Sequence, residues 1–537
     1  MSKFPKTLAA MAVALFVLTG QGQAPETRAA EPAITWEACG QIQCATIDVP
    51  LDYSRPSGPS IELALTRIPA REPSMRIGVM LANPGGPGAS GNDFVRVWGR
   101  LLSNDVRNRF DIIGFDPRGI GGSTPVVCHD RLQDLVAADP DPDTDAEWEA
   151  AKSITRLFVE DCAKKYGDIL PHLGTRNVAR DMDSIREALG EEQITYFGYS
   201  YGTTIGAVYA DMFPTRVRAM VLDGGTDLSL NVEETIRTQI IGFERALNSY
   251  LADCEEERCA IAEDGDPRKV VEAVIAKAER APIPAPGADR PAGPGEVQLG
   301  IISALYSKFT WGMLTNALEQ ALEGDGSGLV ELTDAYLQRE PDGSYPNLIE
   351  ANIAVNSVDG VCSKDPEASR KLGDIVAKDA PTFGRSAATS GLACAYWPAK
   401  PDPVTVPRAA GAPPIVVIAT TNDPATPYEW GKALSEQLES GVLVTYRGEG
   451  HTIYAQGSEC IDDLVDAYLV RLAAPAEGSV CGRGAPPPES GGPALPPATG
   501  ESGPEESAET FWYWVIGLPL FALAVAFVVV AFVQHRR

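Results

Sequence analysis

Short apolar runs that end at glycine or proline corners recur along the first half of the chain. Two of them, Ala45–Tyr53 and Ile61–Pro69, flank a Pro-Ser-Gly-Pro turn, which is typical of paired antiparallel strands. Further strands are predicted at Ile77–Ala82, Asp111–Phe115, Ile194–Phe197 and Val217–Leu222. Helical patterns lie between them, such as Val178–Leu189, which Gly190 ends. This alternation predicts an α/β protein with a mostly parallel sheet and helices on both faces.

The alternation stops near residue 226 and resumes near residue 411. Helical patterns with Pro/Gly-rich breaks fill 226–410, and strands return at Ile415–Thr420 and Leu443–Tyr446. We therefore expect a core formed by 31–225 and 411–484, split by a helical cap insertion at 226–410.

Both ends of the sequence carry targeting patterns. Lys3 and Lys6 precede an uncharged run, Leu8–Leu18, and small residues follow, so 1–30 is predicted to be a signal peptide. An uncleaved N-terminal anchor is the alternative. Residues 485–510 form a Pro/Gly/Glu-rich spacer, 511–533 hold no charge and are long enough to cross a membrane, and 534–537 form a basic tail.

Charge and cysteine content agree with an extracellular body. The formal net charge of −28 argues against nucleic acid as a partner, because phosphates require a basic face. An even count of 10 cysteines in an exported chain favours disulfides. Pairing neighbours along the chain predicts the bridges 39–44, 128–162, 254–259, 362–394 and 460–481. The sequence contains no CxxC pair, so no metal site is expected.

The segment Gly198–Gly202 reads GYSYG and has the form GxSxG. It follows the predicted strand Ile194–Phe197 and opens a helix, which is the context that a nucleophile turn requires. Ser200 is therefore the candidate nucleophile, rather than a serine in an ordinary glycine-rich turn.

A serine hydroxyl needs a base to take its proton, and the chain has only 4 histidines. His451 follows the strand Leu443–Tyr446 on a glycine-containing loop, and its place after the nucleophile fits the order serine, acid, histidine. Asp423, just past Ile415–Thr420, is the preferred acid. Asp223, after Val217–Leu222, competes for this role, although we expect it to be a turn or cap residue.

The loop Asn83–Gly88 reads NPGGPG and follows the strand Ile77–Ala82. Glycines let backbone N–H groups approach a developing oxyanion, and a loop at this position supplies one donor in such enzymes. The N–H of Tyr201 would supply the other. A simple Pro/Gly turn explains the same residues.

Together these motifs resemble the tripeptidyl and prolyl aminopeptidase branch of the α/β-hydrolases, in particular secreted actinobacterial enzymes with a TAP-like C-terminal region. The resemblance covers about residues 35–482. It rests on NPGGPGASG from Asn83, DPRGIGGS from Asp116, GYSYG, ACAYWP from Ala393, DPATP from Asp423 and GEGH ending at His451. It implies an α/β-hydrolase fold with a cap, Ser200, Asp423 and His451 as the triad, Gly86 and Tyr201 as the oxyanion hole, and no cofactor.

The chain also departs from this resemblance. The oxyanion loop begins with Asn83 where prolyl iminopeptidases have histidine, which favours the tripeptidyl side. Ser357 stands where such enzymes usually have cysteine, and Cys362 would substitute for it. The substrates implied are peptides with a free N-terminus, whose ammonium needs a carboxylate partner; Asp359, Asp227 or a cap glutamate are candidates.

The segment Leu495–Glu501 reads LPPATGE and resembles a sortase sorting signal with one extra residue between Pro496 and Thr499. Cleavage by sortase would join the protein to the cell wall, whereas an unread signal would leave a membrane anchor. Two other functions stay open: an esterase or lipase with the same triad, and a catalytically silent binding protein.

Overall fold

The computed structural model describes residues 34–128, 131–262 and 265–484. The predicted signal peptide, spacer, hydrophobic segment, basic tail and sorting motif lie outside these residues. In the part that is described, no helix is long and apolar enough to span a bilayer.

A ten-stranded sheet forms the centre of the protein, in the order β1-β2-β3-β5-β4-β6-β7-β8-β9-β10. The strands are β1 Glu37–Cys39, β2 Ile42–Pro50, β3 Ser60–Ile68, β4 Gly78–Asn83, β5 Phe110–Phe115, β6 Ile194–Tyr199, β7 Val217–Asp223, β8 Ile415–Asn422, β9 Gly441–Glu449 and β10 Ser479–Gly482. The pairs β1–β2, β2–β3 and β3–β5 are antiparallel. All the other neighbouring pairs in this order, from β5–β4 to β9–β10, are parallel. The predicted α/β class and mostly parallel sheet are confirmed.

Helices cover the sheet and fill the long connection between β7 and β8. In chain order they are α1 Gly91–Trp98, α2 Asn104–Arg109, α3 Leu132–Ala137, α4 Asp145–Tyr166, α5 Thr175–Ala188, α6 Tyr201–Met212, α7 Val232–Glu257, α8 Pro267–Arg280, α9 Pro294–Leu305, α10 Trp311–Glu323, α11 Ser327–Leu337, α12 Leu348–Asp359, α13 Pro366–Val376, α14 Ala387–Ser390, α15 Leu392–Tyr396, α16 Tyr428–Gln437 and α17 Glu459–Arg471.

Strands β4, β5 and β6 are buried at every position, as expected for parallel strands covered on both faces. One core cluster lies on the α5–α6 side and contains Met182, Ile205 and Leu222. A second lies on the α1–α17 side and contains Trp98, Phe197 and Tyr454. A third, separate cluster is built mainly by helices α7 to α11 and α13. We call the whole segment between β7 and β8 the cap, and it thus has an apolar core of its own.

Five disulfides join Cys39 to Cys44, Cys128 to Cys162, Cys254 to Cys259, Cys362 to Cys394 and Cys460 to Cys481. All five predicted pairs are confirmed. Cys362 bridges to the C-terminal part of the cap, and Ser357 is buried in α12 without a bridge.

Candidate active site

Ser200 lies in a sharp turn between β6 and α6, at the centre of the sheet. Its backbone is at φ 54° and ψ −125°, a conformation that costs a non-glycine residue about 1–3 kcal/mol. Such strain at a strand-to-helix turn presents the serine hydroxyl above the sheet. The neighbouring loop approaches so closely that a Cβ on Gly85 would lie 2.9 Å from the Ser200 Cβ. Only glycine fits there.

Asp423 and His451 form a hydrogen-bonded pair at the ends of the neighbouring strands β8 and β9. The His451 Nδ1 lies 2.9 Å from each carboxylate oxygen of Asp423. The Asp423 side chain is fully buried, and the imidazole is 10% exposed. A buried carboxylate in this position fixes the histidine tautomer and stabilises the imidazolium.

The Asp423 carboxylate is itself held by the loop that follows it. Its Oδ1 accepts hydrogen bonds from the amides of Ala425 at 2.9 Å and Thr426 at 2.8 Å, and its Oδ2 accepts one from the Thr426 hydroxyl at 3.0 Å. The Thr426 hydroxyl also lies 3.3 Å from His451 Nδ1, and this residue was not among the predicted site residues. A threonine three residues after an acid, in DPATP, is the signal that could have shown it.

Asp223, the competing acid, is not the turn or cap residue that we expected. It is completely buried at the end of β7, and its Oδ2 accepts hydrogen bonds from the amides of Ile453 at 2.9 Å and Tyr454 at 2.8 Å. Burial raises the pKa of this carboxyl to about 7, and the two amides oppose the rise. Asp423, rather than Asp223, contacts the imidazole.

Contacts through β7 bring the serine turn and the histidine together. The Ser200 amide donates to the carbonyl of Asp223 at 2.9 Å. The next residue, Gly224, lies at φ +73°, and a Cβ on it would be 3.1 Å from His451 Cε1. The imidazole therefore lies near the turn that carries Ser200, as the proposed triad requires.

The glycine loop after β4 lies against the start of α6, as the oxyanion assignment requires. Tyr201 is the first residue of α6, and the amides of a helix's first turn have no partner within the helix. Gly86 follows Gly85, whose added Cβ would lie 2.9 Å from the Tyr201 amide nitrogen. Gly86 and Tyr201 stay our proposed oxyanion donors.

The cap contacts both halves of this site. The Asn352 side chain on α12 donates to the carbonyl of Pro87 in the glycine loop at 3.1 Å. The carbonyl of Tyr306, at the end of α9, accepts the His451 amide at 2.8 Å, and the two rings meet edge to face at 5.5 Å. No pattern in the sequence indicated Tyr306, because its partner lies 145 residues away in the chain.

The two carboxylates proposed to bind the substrate's ammonium already accept hydrogen bonds from other residues of the protein. Asp359 accepts hydrogen bonds from the amide of Thr175 at 2.9 Å and its hydroxyl at 2.5 Å. Asp227 accepts from the amide and hydroxyl of Ser229 and from Gln437, at the far end of α16. Both are thus partnered, and the ammonium role stays a proposal for them.

The Arg118 guanidinium binds both oxygens of the buried Asp181, and Asp116 accepts hydrogen bonds from Ser90, Asn92 and Gly122. Both acids support loops around the site. Among the described residues, no cluster of three or more His, Cys, Asp or Glu side chains is arranged to hold a metal ion.

The fold and the site together define an α/β-hydrolase with a serine nucleophile. The α/β-hydrolase fold model matches residues 78–264, and the TAP-like protein model matches residues 380–481. Serine protease Hip1 of Mycobacterium tuberculosis is 38% identical over 88% of this chain and 96% of its own. Tripeptidyl aminopeptidase of Streptomyces lividans is 33% identical over 86% of this chain and 88% of its own.

The chain therefore belongs to the TAP-like family of α/β-hydrolases, and it is a serine hydrolase of the peptidase class. Another relative, carboxylesterase B of Mycobacterium tuberculosis, is 36% identical over 84% of this chain and 90% of its own. Among solved structures, the proline iminopeptidase of Mycobacterium smegmatis is 12% identical, with a TM-score of 0.34 over 79% of this chain and 97% of that one.

Proposed function

We propose that the protein is an exported serine aminopeptidase that releases short peptides, of the tripeptidyl or prolyl type, from free N-termini. Ser200 attacks the scissile carbonyl while His451 takes its proton and then gives it to the leaving amine. Asp423 orients the imidazole, and the amides of Gly86 and Tyr201 stabilise the oxyanion. Water, activated by His451, then hydrolyses the acyl-enzyme ester, which releases the short peptide and regenerates the Ser200 hydroxyl.

The observation that carries this proposal is the position of the cap. It contacts the glycine loop through Asn352 and the histidine through Tyr306, so one segment lies against both sides of the reacting centre. A cap in that position limits how much of a peptide can extend past the nucleophile. A short N-terminal stretch fits such a restriction better than an internal bond of a folded protein.

An exopeptidase of this kind must also bind the substrate's ammonium. A desolvated cation needs an anionic partner, and Asp359 and Asp227 are the carboxylates that we propose for it. Asp359 is linked to the site through Thr175. The Thr175 hydroxyl donates to Asp359 and also lies 2.5 Å from the Tyr201 hydroxyl. An Asp359→Asn variant would raise KM for free-amine peptides more than for N-acetylated ones.

The experiment that tests the activity compares three substrate types on the full chain. Tripeptidyl substrates of the Ala-Pro-Ala type, with and without N-acetylation, are measured beside single-residue aminoacyl and short-chain ester substrates. Preference for the free-amine tripeptide, lost in Ser200→Ala, is the expected result. Ser390→Ala, a change of the same type at a cap serine bonded to the Ser386 carbonyl, is the matched control.

An esterase is the second candidate, and the relative named carboxylesterase B favours it. The same triad cleaves esters, so only the acyl pocket separates the two activities. Faster ester cleavage, with N-acetylated and free peptides handled equally, would contradict the aminopeptidase and leave the esterase.

We also propose that the protein acts outside the cell and is tethered there through 511–533. The five disulfides support an oxidising compartment, because such bridges are reduced in the cytosol. Fractionation of cells expressing the full chain and Thr499→Ala tests the tether. If detergent releases both the parent and Thr499→Ala, the membrane anchor is uncut. If the parent is released by digestion of the cell wall and not by detergent, sortase has cut it and joined it to the wall. Protein found only in the cytosol would contradict export.

A further inference from the structure

Asp223 occupies a special place between the nucleophile and the base. It is the last residue of β7, the strand that pairs with β6 on one side and with β8 on the other. In the register, Asp223 lies opposite Tyr199, the residue before the nucleophile. Its carbonyl accepts the Ser200 amide at 2.9 Å, so its backbone already helps to hold the serine turn.

The side chain of Asp223 points to the other half of the triad. Its Oδ2 accepts the amides of Ile453 and Tyr454, the second and third residues after His451. The Oδ1 is buried and has no hydrogen-bond partner within the described residues. One buried carboxylate is thus committed to two successive amides of the loop that carries the base.

The loop around these amides is tightly constrained. Thr452 lies at φ 63° and Ala455 at φ 57°, in the left-handed region that non-glycine residues avoid. Tyr454 is anchored at both ends: its carbonyl accepts the Tyr199 hydroxyl, and its own hydroxyl donates to Asp466 at 2.6 Å. A backbone strained in this way persists only where its surroundings fix it.

We propose that Asp223 is a positioning residue, which holds the His451 loop in register with Ser200 through the Ile453 and Tyr454 amides. It does not replace Asp423, which contacts the imidazole. The Asp423 oxygens also accept hydrogen bonds from Ala425 and Thr426 of the loop that follows. Its carbonyl and carboxylate instead connect the two loops that must meet for proton transfer. A displacement of about 1 Å between base and nucleophile costs about 100-fold in rate.

The test uses the full chain with Asp223→Ala and Asp223→Asn. The alanine variant removes the carboxylate and with it the acceptor of both amides. We expect kcat to fall about 100-fold with KM within two-fold of the parent. The asparagine variant keeps one oxygen for the two amides and places its NH2 group where the Asp223 Oδ1 has no hydrogen-bond partner within the described residues. We expect it to restore most of the activity, with kcat about 3- to 10-fold below the parent.

A second readout does not depend on the peptide specificity. The rate at which a small fluorophosphonate labels Ser200 should fall in parallel with kcat, because labelling also needs a positioned histidine. This measurement separates failure of this inference from failure of the proposed aminopeptidase activity.

Glu244 provides a matched control. It is a buried carboxylate in the cap whose Oε2 accepts the successive amides of Thr382 at 2.9 Å and Phe383 at 3.3 Å. Glu244→Gln and Glu244→Ala should lower the melting temperature without the loss in labelling rate. A folded Asp223→Ala variant with parental kcat would overturn the proposal. If Asp223→Ala does not fold, Asp223→Ser, whose side chain is one atom shorter, takes its place, and parental kcat and labelling in that variant would overturn the proposal equally.

Discussion

The amide of His451 donates a hydrogen bond to the carbonyl of Tyr306 at 2.8 Å, and the two aromatic rings meet edge to face. This contact joins the proposed catalytic base, on the loop after β9, to a residue at the end of α9 in the cap. Tyr306 in turn packs against Phe243 of α7 and Tyr336 of α11, so two cap helices hold the ring. The base is therefore held by both the core and the cap.

Tyr306→Ala should lower kcat/KM about 10-fold, because the imidazole loses the ring that packs against its face while the backbone acceptor remains. Tyr306→Phe retains the ring and should stay within two-fold of the parent. Steady-state kinetics of both variants check this expectation. Equal activity in the alanine and phenylalanine variants would show that the ring does not orient His451.

Asp423→Asn should lower kcat about 10⁴-fold, since an asparagine holds the wrong histidine tautomer toward the nucleophile. The protein should remain folded, because the carboxamide can still accept the amides of Ala425 and Thr426. Kinetics with a thermal melt measure both properties. The matched control is Asp379→Asn, an exposed carboxylate paired with Arg237, and it should leave kcat unchanged. A loss below 10-fold in Asp423→Asn would assign the acid role elsewhere.

The parts of the fold and site that could be predicted are those that depend on residues close together in the sequence. The eight predicted strands are present, and the parallel strands β4, β5 and β6 are the clearest in the sequence because burial on both faces requires continuous apolar runs. The boundaries moved by a few residues: the run predicted at Ala45–Tyr53 is β2 at Ile42–Pro50. The edge strands β1 and β10 were missed, because strands of 3 and 4 residues carry too little pattern.

Contacts between distant segments could not be read from the sequence. The order serine, acid, histidine places Asp423 beside His451, but nothing in the sequence shows that Asp223 holds the amides of Ile453 and Tyr454. Such a contact depends on where two loops meet above the sheet. The pairing of Arg118 with Asp181 could not be predicted for the same reason.

Arg118→Met should destabilise the protein by about 3–5 kcal/mol, because it leaves the buried carboxylate of Asp181 without its counter-charge. Both side chains are 0% exposed, and the Arg118 Nη2 lies 2.6 Å from Asp181 Oδ1. Chemical denaturation measures the loss. Arg237→Met, which breaks an exposed pair, should cost less than about 1 kcal/mol. The double variant Arg118→Met/Asp181→Leu should recover part of the lost stability, because it removes the buried carboxylate as well. Equal losses of stability in Arg118→Met and Arg237→Met would contradict the prediction.

Asp359→Asn should change the pH dependence of stability. Burial raises the pKa of the Asp359 carboxyl to about 7, against the opposing hydrogen bonds from Thr175, whereas in the unfolded chain it is about 4. The folded state thus binds this proton more tightly, so the free energy of unfolding falls as the pH rises from about 4 to about 7. Asparagine carries no such proton, so its melting temperature relative to the parent should rise between pH 5 and pH 8. Thermal melts across that range measure the difference, with Asp379→Asn as the exposed control. A difference that stays constant with pH would show that the pKa of Asp359 is the same in the folded and unfolded states, which would contradict the prediction.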